Sequence, residues 1–177
     1  MTDVNTKVSN FKKLLGAVGI SGALAGSYLI YPFEGQVNHV YADPAQILTM
    51  CVGHVDNTLR LGQTFTDEQC LETLVKDITK HDKQLMGVVK VEMNPYEHAA
   101  YLSFVFNVGI VNFSKSTMLG KLNAGNHAGA CSEYIKWKYA GGKVLKGLER
   151  RREMETQMCN GTIKLDKEVL DAIAQSK

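Results

Sequence analysis

The stretch Glu34–His54, EGQVNHVYADPAQILTMCVGH, decides how the rest of the chain is read. From Glu34 to about Leu61 the sequence is rich in Val, Tyr, Thr, Gly and Asn, with short alternations between turn-forming residues. That pattern predicts a small antiparallel sheet of hairpins. The same stretch carries two acids, Glu34 and Asp43, nine positions apart, and Thr49 lies six further on. Glycoside hydrolysis needs two acidic functions on opposite sides of the scissile bond, one to protonate the leaving oxygen and one to stabilise the cation or activate water. Two carboxylates on a hairpin facing a cleft could serve. Taken alone, however, an acid pair at this spacing reads first as two solvated hairpin side chains.

Downstream the period changes. Thr66-Asp67-Glu68-Gln69 has the form of a capping box, with Thr66 as N-cap and Gln69 reaching back. Leu71, Leu74, Val75 and Ile78 follow at helical spacing and predict one apolar face of a helix running to about Gln84. Asn94-Pro95 opens another helix, Asn94 as the cap and Pro95 in the first turn. The run Ala99–Val108 is apolar almost all round, which is the pattern of a central, buried helix. Further helical stretches are predicted at about 115–123, 127–138, 147–159 and 166–175. The expected class is therefore α+β: a small antiparallel sheet lobe and a larger helical lobe with a cleft between, where substrate sites commonly lie.

Upstream, Leu14–Phe33 is a run of 20 residues without a charge, preceded by Lys7, Lys12 and Lys13. As a helix rising about 1.5 Å per residue it would just span a hydrocarbon core of about 30 Å. The lysines would keep the N-terminus cytoplasmic and place everything after Phe33 on the far side. Nine of the 20 residues are Gly, Ala or Ser, so the span is only weakly apolar. Three readings stay open: a cleaved signal peptide with Ala23-Leu24-Ala25 as its small-x-small site, a permanent anchor packing through Gly22 and Gly26, and a temporary anchor. The domain division is residues 1–33 as an apolar N-terminal segment and 34–177 as the folded body.

Composition narrows the class. The chain has 177 residues, 45% of them hydrophobic and 21% charged, which excludes a disordered or collagen-like protein. Its mean hydropathy of −0.13 excludes a polytopic membrane protein. A net charge of +2 demands no nucleic-acid partner, and no motif supplies one. Seven basic residues and one acid, Glu149, occupy Lys136–Arg152. They read as a solvated helix face or as an attraction to an acidic polymer or anionic lipid. No two histidines have metal-ligand spacing, so neither metal nor cofactor is expected. His54 is read as a structural histidine bonded to a nearby acid, and His39 and His81 as surface groups.

The ordered set Glu34, Asp43, Thr49, the last in T-x-x-x-G-H, resembles the catalytic triad of the phage-type lysozymes of glycoside hydrolase family 24. Further motifs agree in order. Phe104–Gly109 (FVFNVG) is similar to that family's F-x-F-N-x-G helix end, and Phe113–Leu119 (FSKSTML) to its F-x-x-S-T-x-L segment. Trp137-x-x-Ala140-Gly141-Gly142 and Gly147-Leu148-x-x-Arg151-Arg152-x-x-Glu155 are similar to its C-terminal signature. The resemblance spans residues 34 to about 160. The Gly-rich apolar N-terminus is similar to that of the signal-arrest-release endolysins of the phage 21 type, which favours the temporary anchor.

The resemblance implies a lysozyme-like fold and cleavage of the β-1,4 bond between N-acetylmuramic acid and N-acetylglucosamine in peptidoglycan. Glu34 would be the general acid, Asp43 an ionised partner for the developing charge and for water, and Thr49 the residue holding the attacking water. Phe106, Asn107 and Ser116 would line the sugar cleft. Arg151 would pair with the region of the catalytic acid. The partners implied are peptidoglycan and, through residues 14–33, the bacterial inner membrane before release to the periplasm, with the enzyme acting as a monomer. One departure stands out: where many members have glycine two after the threonine, this chain has Cys51. Its four cysteines contain no CxxC pair and allow three connectivities. The layout places Cys51 on the sheet lobe with Cys70 at the start of the next helix, and Cys131 and Cys159 on two later helices, which favours 51–70 and 131–159.

Overall fold

The structure, a computed structural model, describes residues 29–30, 35–43, 46–165, 167, 170 and 171. Most of the apolar N-terminal segment, and Glu34 itself, lie outside the described residues. Leu29 and Ile30 are helical and fully buried in the main core. No helix among the described residues is long and apolar enough to cross a membrane.

The sheet lobe is built from β1 (Val37–Ala42), β2 (Leu48–Cys51) and β3 (His54–Val55), antiparallel and in that order. Tyr41 faces Thr49 and Ala42 faces Leu48, but at the far end Val37 faces Cys51, so the register shifts in between. An irregularity of this kind bends the strand and re-aims the side chains beside it. Val40, Met50, Cys51, Leu59 and Cys70 form a small core of their own.

Helix α1 (Asp67–Met86) starts where its sequence said it would. Thr66 Oγ1 accepts the Gln69 N–H at 3.2 Å and Gln69 Oε1 accepts the Thr66 N–H at 2.8 Å, the reciprocal box that satisfies two otherwise unpaired donors. Cys70, near its start, belongs to the sheet-lobe core, while Leu74, Val75, Ile78 and Leu85 belong to the main one, so α1 joins the two lobes. Helix α2 (Pro95–Val108) has a second capping box between Asn94 and Glu97, and Ala99–Val105 are buried without interruption. It is the central helix its all-round apolar sequence predicted.

Four short pieces follow: α3 (Ile110–Ser114), α4 (Thr117–Asn123), α5 (His127–Cys131) and a 3₁₀ turn at Tyr134–Trp137. The expected helix at 115–123 is shorter because Ser116 is its N-cap, its Oγ accepting the Leu119 N–H at 3.1 Å. The expected helix at 127–138 is broken into two. In a 3₁₀ turn residues i and i+3 eclipse, so Tyr134 and Trp137 face the same way. Both rings meet Phe104 edge-on, at centroid distances of 5.3 and 5.1 Å. A continuous α-helix would rotate the two rings apart. A second sheet, β4 (Tyr139–Ala140) with β5 (Lys143–Val144), precedes α6 (Lys146–Cys159). Lys167, Leu170 and Asp171 are helical, and the rest of the expected helix at 166–175 lies outside the described residues.

Cys51 is bonded to Cys70 and Cys131 to Cys159, 19 and 28 positions apart, the pairing the layout favoured. One tie fastens β2 to α1, the other α5 to the end of α6. Loops of this size constrain the unfolded chain by about 3–4 kcal/mol each.

Candidate active site

Asp43 follows β1 directly, and Thr49 is the second residue of β2, so both stand at the loop end of the first hairpin. A single residue between them ties them together. The Ile47 carbonyl accepts the Asp43 N–H at 2.9 Å and the Thr49 Oγ1–H at 3.1 Å. The Ile47 N–H in turn donates to Asp43 Oδ1 at 2.8 Å. The Asp43 carbonyl also accepts the Gln46 N–H at 2.8 Å. Asp43 therefore closes its own turn with backbone and side chain, the local bonding that makes Asp a turn residue. The hairpin is not relaxed there: Gln46 has φ +64° and Cys51 has φ +53°, both left-handed. Such a conformation costs a non-glycine residue about 1–2 kcal/mol. A glycine would avoid that cost; this chain puts a cysteine at position 51 and crosslinks it.

The other proposed positions are placed as follows. Glu34 lies outside the described residues. Thr49 is 4% exposed. Phe106 packs against the main core with its ring 4.9 Å from that of His81. Asn107 Oδ1 accepts from Arg152 Nη2. Ser116 is occupied twice, capping α4 and donating to the Phe113 carbonyl at 2.6 Å. Asn107 and Ser116 are thus engaged in holding helix ends together. His54 bonds Asp77 at 2.7 Å, the structural role its sequence suggested. His39 is exposed as expected. His81 is not a surface group: it is half-buried, 2.7 Å from the Asp77 carbonyl, with its ring tilted against that of Phe106.

One polar cluster is deeply buried in the helical lobe. Arg151, Arg152 and Glu155 of α6 are 4%, 1% and 0% exposed. Glu155 accepts from Arg151 Nε at 3.2 Å, from Arg152 Nη1 and from Ser103 Oγ at 2.8 Å. Arg151 Nη2 donates to the Ser103 carbonyl at 3.1 Å, Arg152 Nε to the Trp137 carbonyl at 3.1 Å, and the Arg152 guanidinium lies 4.7 Å from the centre of the Phe104 ring. Arg151 and Arg152 share the Glu155 carboxylate, place further N–H groups on carbonyl oxygens, and Arg152 also rests on a ring face, the pairing that buried cations need. The i,i+3 and i,i+4 spacing of R-R-x-x-E was legible in the sequence. Ser103, a hydroxyl inside an apolar helix, was the unread signal. So was Ile47, whose part is played by its backbone.

Among the described residues no group of three His, Cys, Asp or Glu is placed to hold a metal ion. A cavity of about 770 Å³ runs along α1 beside Val75, Thr79 and Lys83; Asp43 and Thr49 are not among its described lining.

Against known families, residues 31–155 match the phage lysozyme model. The chain belongs to the phage lysozyme family. An SAR-endolysin of bacteriophage PS119 is 40% identical over 126 residues, covering 71% of this chain and 75% of that protein. An SAR-endolysin of enterobacteria phage P21 is 36% identical over 154 residues, covering 84% and 93%. Among solved structures, the endolysin from Escherichia coli O157:H7 phage FAHEc1 superposes with a TM-score of 0.72 at 28% identity over 80% of this chain and 94% of that one. The lysozyme-like α+β fold and the family read from the motifs are thus both present. The matched span begins at residue 31, so it takes in Glu34 as well as Asp43 and Thr49.

Proposed function

We propose that this phage lysozyme is an endolysin that cleaves the peptidoglycan of its host. Residues 34–177 form the catalytic body, and the bond cut is the β-1,4 linkage between N-acetylmuramic acid and N-acetylglucosamine. Glu34 protonates the glycosidic oxygen as that bond breaks. Asp43, ionised, faces the developing positive charge and orients water. Thr49 holds the attacking water through its hydroxyl. The observation that carries the reading is the shared clamp on Ile47, which fixes Asp43 and Thr49 relative to each other at the loop end of the hairpin. Glu34→Gln keeps the shape and removes the proton donor. It should abolish the clearing of peptidoglycan suspensions while binding persists, and unchanged clearing would remove Glu34 from its role. Mass spectrometry of the released muropeptides separates hydrolysis, which leaves a reducing sugar, from transglycosylation, which leaves an anhydro-sugar.

Residues 14–33 tether the enzyme in the inner membrane with the N-terminus cytoplasmic, and their release delivers it to the periplasm. What supports this is the uncharged run of 20 residues that ends next to the proposed acid, with no linker between, and the likeness to SAR-endolysins. Catalysis and tether therefore share a boundary: while the span sits in the bilayer, Glu34 is held at its surface. Leucine at Gly19, Gly22 and Gly26 should raise the apolarity of the span and retain the protein in membranes. Normal timing of lysis by that variant would end the tether reading and leave the hydrolase reading intact.

A further inference from the structure

The β4–β5 hairpin is built for something other than the core. Every residue from Tyr139 to Gly147 is exposed. Tyr139 pairs with Val144 and Ala140 with Lys143 across Gly141–Gly142, whose φ values are +57° and +76°. A two-residue turn with both centres left-handed matches the twist of a hairpin, and glycine adopts it without strain. Residues directly opposite in a ladder share a face, so Tyr139 and Val144 form one apolar surface, and both face water, at 57% and 42% exposure. Leu145, the next residue, is 46% exposed.

The base of this ribbon is fixed. The Leu145 N–H donates to the Lys138 carbonyl at 3.0 Å, and the Trp137 carbonyl accepts from buried Arg152. Lys138 is paired with Glu149 at 2.8 Å. Lys143, Lys146 and Arg150 have no ion-pair partner among the described residues, and Lys143 and Lys146 flank Val144–Leu145 in sequence. The result is a rigidly mounted tip with exposed aromatic and aliphatic groups and unpaired cations on long, bendable stems.

We infer that this hairpin is a membrane-interface foot that docks on a bilayer carrying anionic phospholipid headgroups. The two halves of the surface select that partner together. Cations alone would suit any polyanion, including acidic wall peptides. An exposed Tyr–Val pair extended by Leu145 gains only where an apolar phase lies just beneath the charged layer. Tyrosine, apolar in body and polar at its tip, suits that boundary, and lysines snorkel to the headgroups above it. This surface lies over 90 positions from residues 14–33 in sequence. It would keep the body of the enzyme at the membrane surface by a contact separate from the tether, and the inference does not depend on which bond the enzyme cuts.

The chain's single tryptophan, Trp137, sits two residues before Tyr139 and makes the test site-specific. Full-length protein is mixed with vesicles of brominated phosphatidylcholine, with or without phosphatidylglycerol, and Trp137 emission and vesicle sedimentation are read together. The expected result is quenching on the anionic vesicles alone, reversed by high salt. Removing two headgroup-facing charges in Lys143→Gln/Lys146→Gln should weaken the quenching isotherm by about thirtyfold, at roughly 1 kcal/mol per cation. Val144→Ser/Leu145→Ser should abolish quenching with the circular dichroism spectrum unchanged. Sedimentation through the N-terminal segment without quenching of Trp137 overturns the inference, as does quenching equal in all variants. Variants that lose affinity for insoluble peptidoglycan but not for vesicles would assign the surface to the wall and overturn it too.

Discussion

The two ends of the molecule hold their polar groups in opposite ways. In the sheet lobe, Asp43 and Thr49 are both bonded to the backbone N–H and C=O of one residue, Ile47, on a hairpin with two left-handed non-glycine residues and Ile47 itself 47% exposed. In the helical lobe, Arg151, Arg152, Glu155 and Ser103 sit among apolar side chains, joined by bonds that reach across 3 to 52 positions of sequence. The first arrangement is local, strained and open; the second is long-range and closed. The carboxylate proposed to face substrate and water cannot be buried in a network. Its geometry has to come from its own turn. The stability that such a strained hairpin forgoes is supplied by the other lobe and by the Cys51–Cys70 tie.

That contrast can be broken at several points. Asp43→Asn retains an oxygen that can accept the Ile47 N–H but loses the charge. Turnover of peptidoglycan should fall by about 10²–10⁴-fold with a melting temperature near that of wild type; a large loss of stability instead would make Asp43 structural. Glu155→Gln should do the reverse, removing the buried carboxylate that Arg151 and Arg152 share. Removing one partner of a buried pair costs about 3–5 kcal/mol, measurable by urea denaturation, and an unperturbed midpoint would show that the carbonyls and the Phe104 ring suffice for the cations.

The crosslinked strain gives a finer comparison. Cys51→Ser/Cys70→Ala removes the tie, for which the chain-entropy model gives about 3 kcal/mol. Cys51→Gly/Cys70→Ala removes the same tie but relieves the left-handed conformation, and should recover about 1 kcal/mol of the loss. Equal losses in the two variants would mean that the conformation at position 51 is not strained.

The smallest effect concerns the stacked Tyr101 and Tyr134, 5.7 Å apart, whose hydroxyls have no hydrogen-bond partner among the described residues. Burial, reinforced by neighbouring Tyr101 and Glu155, pushes the Tyr134 phenol well above its ordinary value. A group whose folded pKa is raised contributes stability that is present below the unfolded pKa, about 10 for tyrosine, and lost as pH rises through the folded value. Wild type should therefore lose stability on the alkaline side of pH 10, and Tyr134→Phe should lose less. At neutral pH the same variant should be equal to wild type or up to about 1 kcal/mol more stable, because an unpaired buried hydroxyl is removed. A clear destabilisation at neutral pH would mean that the hydroxyl is bonded in solution.

Much of this was legible in the chain. The capping boxes at Thr66–Gln69 and Asn94–Glu97 announce their helices because they are local bonds among four residues, and the all-round apolar run 99–105 announces a central helix because no surface could carry it. The spacing of Glu34, Asp43 and Thr49 pointed to the hairpin end where the described two of them stand. Less legible were the breaks at Ser116 and after Cys131, although Ser is a favoured N-cap residue and Ser116 caps its helix. The half-buried setting of His81 is set by Phe106, 25 positions away.

The sequence by itself determined the elements whose causes are near neighbours: caps, periodicity, the glycine pair at the tip of β4–β5, and the order of the motifs. Tertiary structure alone decided that Glu155 should be shared between two arginines and Ser103, and that Tyr134 and Trp137 should turn together onto Phe104. Those outcomes depend on which distant groups compete for the same buried space and the same hydrogen bonds. Burial makes an unpaired group expensive only once the partner that excludes water has arrived, and that condition is written nowhere in a local stretch of chain.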